Sequence, residues 1–268
     1  MNKKVWIKVS IIVAVILVAV CVPLLTDLMK VSSVDINIQY PDQSPKSIII
    51  VKEDIQKSLA KKYGNFLTYQ RKQIETKEIK EYLEKQDFID HAVVSVSLGG
   101  VLRVTINQKM IETRVYNTKG DQFYIDSQEN IIKIKDQQQV ARCIITTGDI
   151  SERPTNKLDS TKHKDCFTAY KLAKTINQNK ILRDWIEGIR KMNQQWILIP
   201  SQGDYIIVLS KDKTLWKEEL EKLQYLIQYS FSKHGWVDYE KVDLSFHNQV
   251  VCSKKEKDNN SFDNKEKR

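Results

Sequence analysis

The spacing of apolar and polar positions along this chain changes character several times, and each spacing predicts a different kind of element. The first is an uninterrupted apolar run, SIIVAVILVAVCVPLL, from Ser10 to Leu25. Val5, Trp6 and Ile7 extend it to the ~20 residues a helix needs to cross a bilayer core of about 30 Å. Lys3, Lys4 and Lys8 precede the run while Asp27 and Lys30 follow it, so the flanking charge predicts a cytoplasmic N-terminus and a translocated remainder. Leu24, Leu25 and Thr26 stand where a signal peptide would carry small cleavage-site residues. Val20 stands before Cys21, where a lipid-acylated cysteine usually has a small residue. The expectation is an uncleaved transmembrane anchor over residues 9–30 behind a cytoplasmic tail of residues 1–8.

After the run, VDINIQ (34–39) alternates apolar and polar residues and predicts a short half-buried strand. Val51, Ile55, Leu59 and Tyr63 recur at four-residue spacing, a helical stripe closed by Gly64. A second helix is expected from Thr76 as N-cap, with Ile79, Tyr82 and Leu83 inward. In HAVVSVSLGGVLRVTINQ, Val94, Val96 and Leu98 share a face, as do Leu102, Val104 and Ile106 beyond the turn. Gly99-Gly100 predicts a two-residue hairpin, because primed turns need positive φ. Strand, helix, helix, strand, strand over residues 31–108 makes a small α+β module.

From residue 109 to 252 the pattern predicts a mixed antiparallel β domain with covering helices. Strands are expected at Arg114–Tyr116, Phe123–Asp126, Ile131–Ile134, Val140–Thr146, Ile186–Met192, Trp196–Ile199 and Tyr205–Leu209. A polar loop fills 151–164 and a helix follows over 165–178 with Phe167, Tyr170, Ala173 and Ile176 inward. The clearest helix starts near Thr214 and ends before Gly235, with the stripe Trp216, Leu220, Leu223 and Ile227. VDLSFHNQVVC, Val242 to Cys252, reads as one last strand, and from Ser253 to Arg268 a polar, charged tail is expected to be disordered. From the residues alone that last strand stands equally as a sheet edge or as an interior strand.

Composition removes several functions. The net charge of +9 is spread among interleaved acids and does not gather on one stripe, so a nucleic-acid partner is not expected. No GxSxG, HExxH, SxxK or Walker-type loop occurs, and the four histidines fall in four different elements. Neither catalysis, a metal, a cofactor nor a small-molecule substrate is therefore expected. Cys143, Cys166 and Cys252 remain outside the apolar run without a CxxC pair; a Cys143–Cys166 disulfide and buried free thiols are both open.

Three stretches carry a family resemblance: GGVLRVTINQKMIETRV, FYIDSQENIIKI and HGWVDYEKVDLSFHNQVVC. Gln108, Lys109, Arg114 and Val115 match a pattern QR-x-P-x-x-RV; Tyr124, Ile125 and Asp126 match YID-x-x-G; Trp236, Tyr239 and the VDLSF of 242–246 match W…Y…IDLRY. In this order and spacing the chain resembles the bacterial cell-division family FtsQ (DivIB). Ile111 replaces the family proline and Asn130 the family glycine. The resemblance implies an anchored, non-catalytic divisome scaffold at the septum, built as a transmembrane helix, a POTRA-like module and a β domain. It implies that the last strand docks FtsB, which stands beside FtsL as a coiled coil, and that Phe246, Asn248, Val250 and Val251 fall at the contact. Two other readings compete: a POTRA-type adaptor that guides polypeptides in secretion or envelope assembly, and an anchored hydrolase.

Overall fold

The computed structural model describes residues 11–17, 28–41, 48–134, 141–231, 233, 235–236 and 239–255. The predicted cytoplasmic tail, the second half of the apolar run with Cys21, His234 and the charged tail beyond 255 lie outside them. Residues 11–17 are helical, and their apolar side chains are all exposed. Among the described residues no helix is long and apolar enough to cross a membrane. The chain divides into two compact units, the first built on the residues up to Met110 together with Ala141, the second on those from Ile111 onward.

The N-terminal unit follows the predicted order: β1 (Ser33–Gln39), α1 (Lys52–Tyr63), α2 (Thr76–Glu84), β2 (Ile89–Val96) and β3 (Val101–Gln108). Its sheet runs β1-β3-β2, with β1 parallel and β2 antiparallel to the central β3. Alternation on β3 buries Leu102, Val104 and Ile106, and the helical stripes bury Ile55, Leu59, Ile79 and Leu83. Each such aliphatic side chain contributes about 1.5–3 kcal/mol on full burial, so the seven form the energetic centre of the unit. Gln108 closes it: its Oε1 accepts from Ile49 N at 2.8 Å and Ile50 N at 3.0 Å, fixing the chain just before α1. The β2–β3 turn departs from expectation. Ser97 N donates to Val101 O, Gly100 N donates to Ser97 O, and only Gly100 has positive φ, at 81°. The connection is therefore four residues long, Ser97 to Gly100, and Leu98 leaves the buried face for solvent.

Among the described residues the second unit holds nine strands: β4 (Ile111–Tyr116), β5 (Gln122–Asp126), β6 (Ile131–Lys133), β7 (Ile144–Gly148), β8 (Ile186–Met192), β9 (Gln195–Pro200), β10 (Ile206–Val208), β11 (Tyr239–Asp243) and β12 (Val251–Lys254). Their order is β12-β11-β10-β9-β8-β7-β4-β5-β6, with β4/β7, β7/β8 and β10/β11 parallel and the other pairs antiparallel. The helices are α3 (Lys164–Gln178), α4 (Lys180–Trp185) and α5 (Trp216–Tyr225), which continues with wider π winding over Leu226–Phe231. Register aligns one row of side chains across the sheet: Phe123, Val115, Thr146, Ile189, Leu198, Ile207, Val242, Cys252. All are buried except Cys252, at the end of the row, which is half-buried. Thr146 is tolerated because its hydroxyl bonds that of Thr113 at 2.8 Å, and Thr113 also donates to Ile144 O.

Several expectations are corrected here. The predicted strand Val140–Thr146 starts at Ile144 and runs to Gly148. The short helix α4 was not expected; Asn179 caps it, accepting from Ile181 N and Leu182 N. At the second turn the left-handed residue is Glu129, at φ 69°, not Asn130, because Asp126 Oδ1 accepts from both Gln128 N and Asn130 N and winds the loop around its own carboxylate. Ser253 and Lys254, assigned to the tail, belong to β12, where they pair with Lys241 and Tyr239. The largest correction is the last strand itself. Residues 242–252 form two strands and the bend between them.

Candidate functional site

That bend begins where Asp243 turns its carboxylate on the backbone: Oδ1 accepts from Ser245 N at 3.1 Å and from Ser245 Oγ at 2.6 Å. The local bond competes with ladder bonding and ends β11 at Asp243, although Leu244 N still donates to Val208 O. Asn248 takes φ 57°, the left-handed conformation that Asn tolerates, and the chain returns as β12. Lys222 of α5 secures the bend from the helix side, donating to Leu244 O at 2.9 Å and to Phe246 O at 2.8 Å.

The four predicted contact residues are brought together here, but not on one strand. Phe246 is 43% exposed and Asn248 is exposed, both in the bend. Val250 is half-buried against the core, and Val251, 37% exposed, opens β12. Val251 lies opposite Asp243 on the sheet face away from the helices, whereas Cys252 shares the face of buried Val242. β11 has strand partners on both flanks, β10 and β12. Among the described residues β12 has one, leaving its outer flank open. Such a flank offers unpaired N–H and C=O groups to another strand.

Behind the edge stands an aromatic cluster. Phe231 lies 6.0 Å from Trp185, 5.9 Å from Tyr205, 6.5 Å from Trp236 and 5.7 Å from Tyr239, centroid to centroid. Trp185 Nε1 donates to the Tyr205 hydroxyl at 2.9 Å, and burial pushes that phenol up to about 12. Gly203 fits against this cluster only without a side chain: a Cβ there would meet Trp236 Cδ1 at 2.7 Å. The cluster reaches the edge through Tyr239, which lies opposite Lys254. Two residues that sequence reading passed over lie on α5 and its extension. Tyr225 and Tyr229 are exposed, with centroids 5.2 Å apart. Their i, i+4 spacing off the buried Trp216–Ile227 stripe was the available signal.

The described cysteines are free. Burial pushes the Cys143 thiol up to about 12 and raises those of Cys166 and Cys252, the opposite of what an attacking thiolate requires. His91 pairs with Glu84 at 2.7 Å, and His163 Nδ1 accepts from Asp159 N. No cluster of three or more metal-ligating side chains occurs among the described residues. What the arrangement offers is main-chain hydrogen bonding beside an exposed aromatic ring.

No curated protein matches the chain. One family profile does, described as FtsQ/DivIB, C-terminal related, and it matches residues 112–253, more than half of the chain and nearly the whole second unit. The chain belongs to the FtsQ/DivIB family, whose role is in cell division.

Proposed function

We propose that this protein is a non-catalytic divisome scaffold, anchored in the cytoplasmic membrane by its N-terminal apolar segment with the C-terminus outside, that links division proteins by strand addition at β12. The observation that carries this reading is that, among the described residues, no strand pairs with the outer flank of Val251–Lys254 at one end of the sheet. A partner of the FtsB/FtsL coiled-coil kind supplies the added strand; main-chain bonds give affinity, and Phe246 in the bend, with Asn248, Val250 and Val251 around it, gives the side-chain contact. Membrane pull-down with the intact chain and with a chain ending at Val250 tests it. Loss of the partner with an unchanged fold supports docking at β12; full retention rejects it.

A second reading, a POTRA-type adaptor for extended polypeptides, draws on one feature of the N-terminal unit: β2 is also an edge strand and carries the exposed Val93. A fluorescent fusion concentrated at mid-cell favours the scaffold, and uniform envelope fluorescence favours the adaptor.

A further inference from the structure

Three loops meet at one pole of the N-terminal unit, the pole where the chain arrives from the apolar run. Met29 O accepts from Arg71 N at 2.9 Å, Val31 N donates to Tyr69 O at 3.0 Å, and Lys30 pairs with Gln70 in an antiparallel bridge. On the other side Ser32 N donates to Gly100 O at 2.9 Å and Ser32 Oγ to Gly99 O at 3.0 Å. The approach is close enough that a Cβ on Gly100 would meet Lys30 O at 2.6 Å. The entering segment is thus held between the loop after α1 and the β2–β3 turn.

Each of these three segments exposes large apolar side chains: Leu28 and Met29, Leu67, and Leu98, all between 47% and 63% exposed. A single exposed leucine is ordinary, but four brought to one pole by backbone bonds make a patch. The same segments (28–33, 64–73 and 97–101) hold Lys30, Arg71 and Lys72 and no Asp or Glu. The helix over residues 11–17 exposes apolar side chains all round, the pattern of a helix surrounded by lipid. With that run as an anchor ending at Leu25, the chain reaches at most about 14 Å from there to Met29. The headgroup layer extends roughly 5–8 Å beyond the hydrocarbon.

We propose that this pole is a membrane-docking face. Leu28, Met29, Leu67 and Leu98 enter the headgroup region, and Lys30 and Lys72 meet anionic phospholipid. The assignment rests on the apolar run being an anchor, and it concerns a surface remote in sequence from β12. The physical logic is that of interfacial segments in general, where apolar insertion and basic residues act together.

The test uses the full chain in nanodiscs of phosphatidylcholine with or without phosphatidylglycerol, with a shallow doxyl-lipid quencher. A bimane label is placed by Leu67→Cys, Leu98→Cys or, as control, Lys85→Cys, in a background lacking Cys21 and Cys252. Lys85 follows α2, at the opposite end of the unit, roughly a strand length or 20 Å away. Labels at 67 and 98 are expected to be quenched at least ~2-fold more than at 85 in the anionic bilayer, with the excess falling when Lys30→Glu and Lys72→Glu are combined. Equal quenching at the three positions overturns the proposal, as does an excess indifferent to lipid charge and to the charge reversals. Shielding of position 98 from both lipid quencher and aqueous iodide also overturns it, since a protein surface then covers the patch. Unchanged far-UV circular dichroism of each variant separates these results from misfolding.

Discussion

The two ends of the nine-stranded sheet solve the same physical problem in opposite ways. At one end β6 is three residues long, and the chain's own loop covers its approach: Ile131 N donates to Asn156 O at 2.8 Å, Leu158 N to Glu129 O at 2.9 Å, and Asn130 bridges Lys157. At the other end β12 is comparably short, yet no described segment pairs with its outer flank, and the row of buried side chains ends there in half-buried Cys252. An edge that is short and covered is protected from foreign strands, whereas one left open beside an exposed Phe246 is available to them. The difference between the ends, rather than the mere presence of an edge, singles out β12.

The largest break in this contrast is expected from removing residues 251–268, which abolishes partner capture in a membrane pull-down while the circular dichroism spectrum is kept. Substituting the covered end, for example Lys133→Pro, leaves capture unchanged. Next in size, Phe246→Arg weakens binding by about 30-fold or more, the ~2 kcal/mol typical of an aromatic anchor, measured as Kd by titration in detergent. Lys222→Met releases the carbonyls of Leu244 and Phe246 without touching β12. Because that lysine is only half-buried, a loss of about 1 kcal/mol, or roughly 5-fold in affinity, is expected.

The smallest effect concerns the sheet near its covered half. Glu112 is buried with its carboxylate on Asn177, and burial holds its pKa above the ordinary carboxylate value. A raised folded-state pKa means its contribution is fully favourable below the unfolded value and is lost as pH rises through the folded one. Glu112→Gln should therefore raise Tm slightly at neutral pH and remove this acid-side gain, with partner affinity unaltered. Calorimetry at several pH values checks it.

Much of the fold was legible in the residues, and the reasons are local. The four-residue spacing of Ile55 and Leu59, the alternation of Leu102, Val104 and Ile106, and the stripe Trp216–Leu220–Leu223 each report a periodicity that burial then obeys. The bend inside 242–252 was not legible, because alternation continues into it: Val242, Leu244 and Phe246 keep strand spacing although β11 ends at Asp243. The turn-favouring residues within it are Asp243, Ser245 and Asn248. Phe246 and Asn248, read as part of one strand, belong to the bend, and Tyr225 and Tyr229 lie on a helix whose pattern reads as core. The order of strands, which decides that β12 is outermost, depends on pairings such as Ile207 with Val242 between residues far apart in sequence. No window of local pattern contains that information.

Hydrogen exchange on the full-length protein, with and without a coiled-coil division partner, tests the central claim most directly. Strand addition predicts new amide protection in residues 251–254 on binding and none in residues 131–133. Binding without added protection at 251–254, or with protection confined to the helical faces, would contradict it.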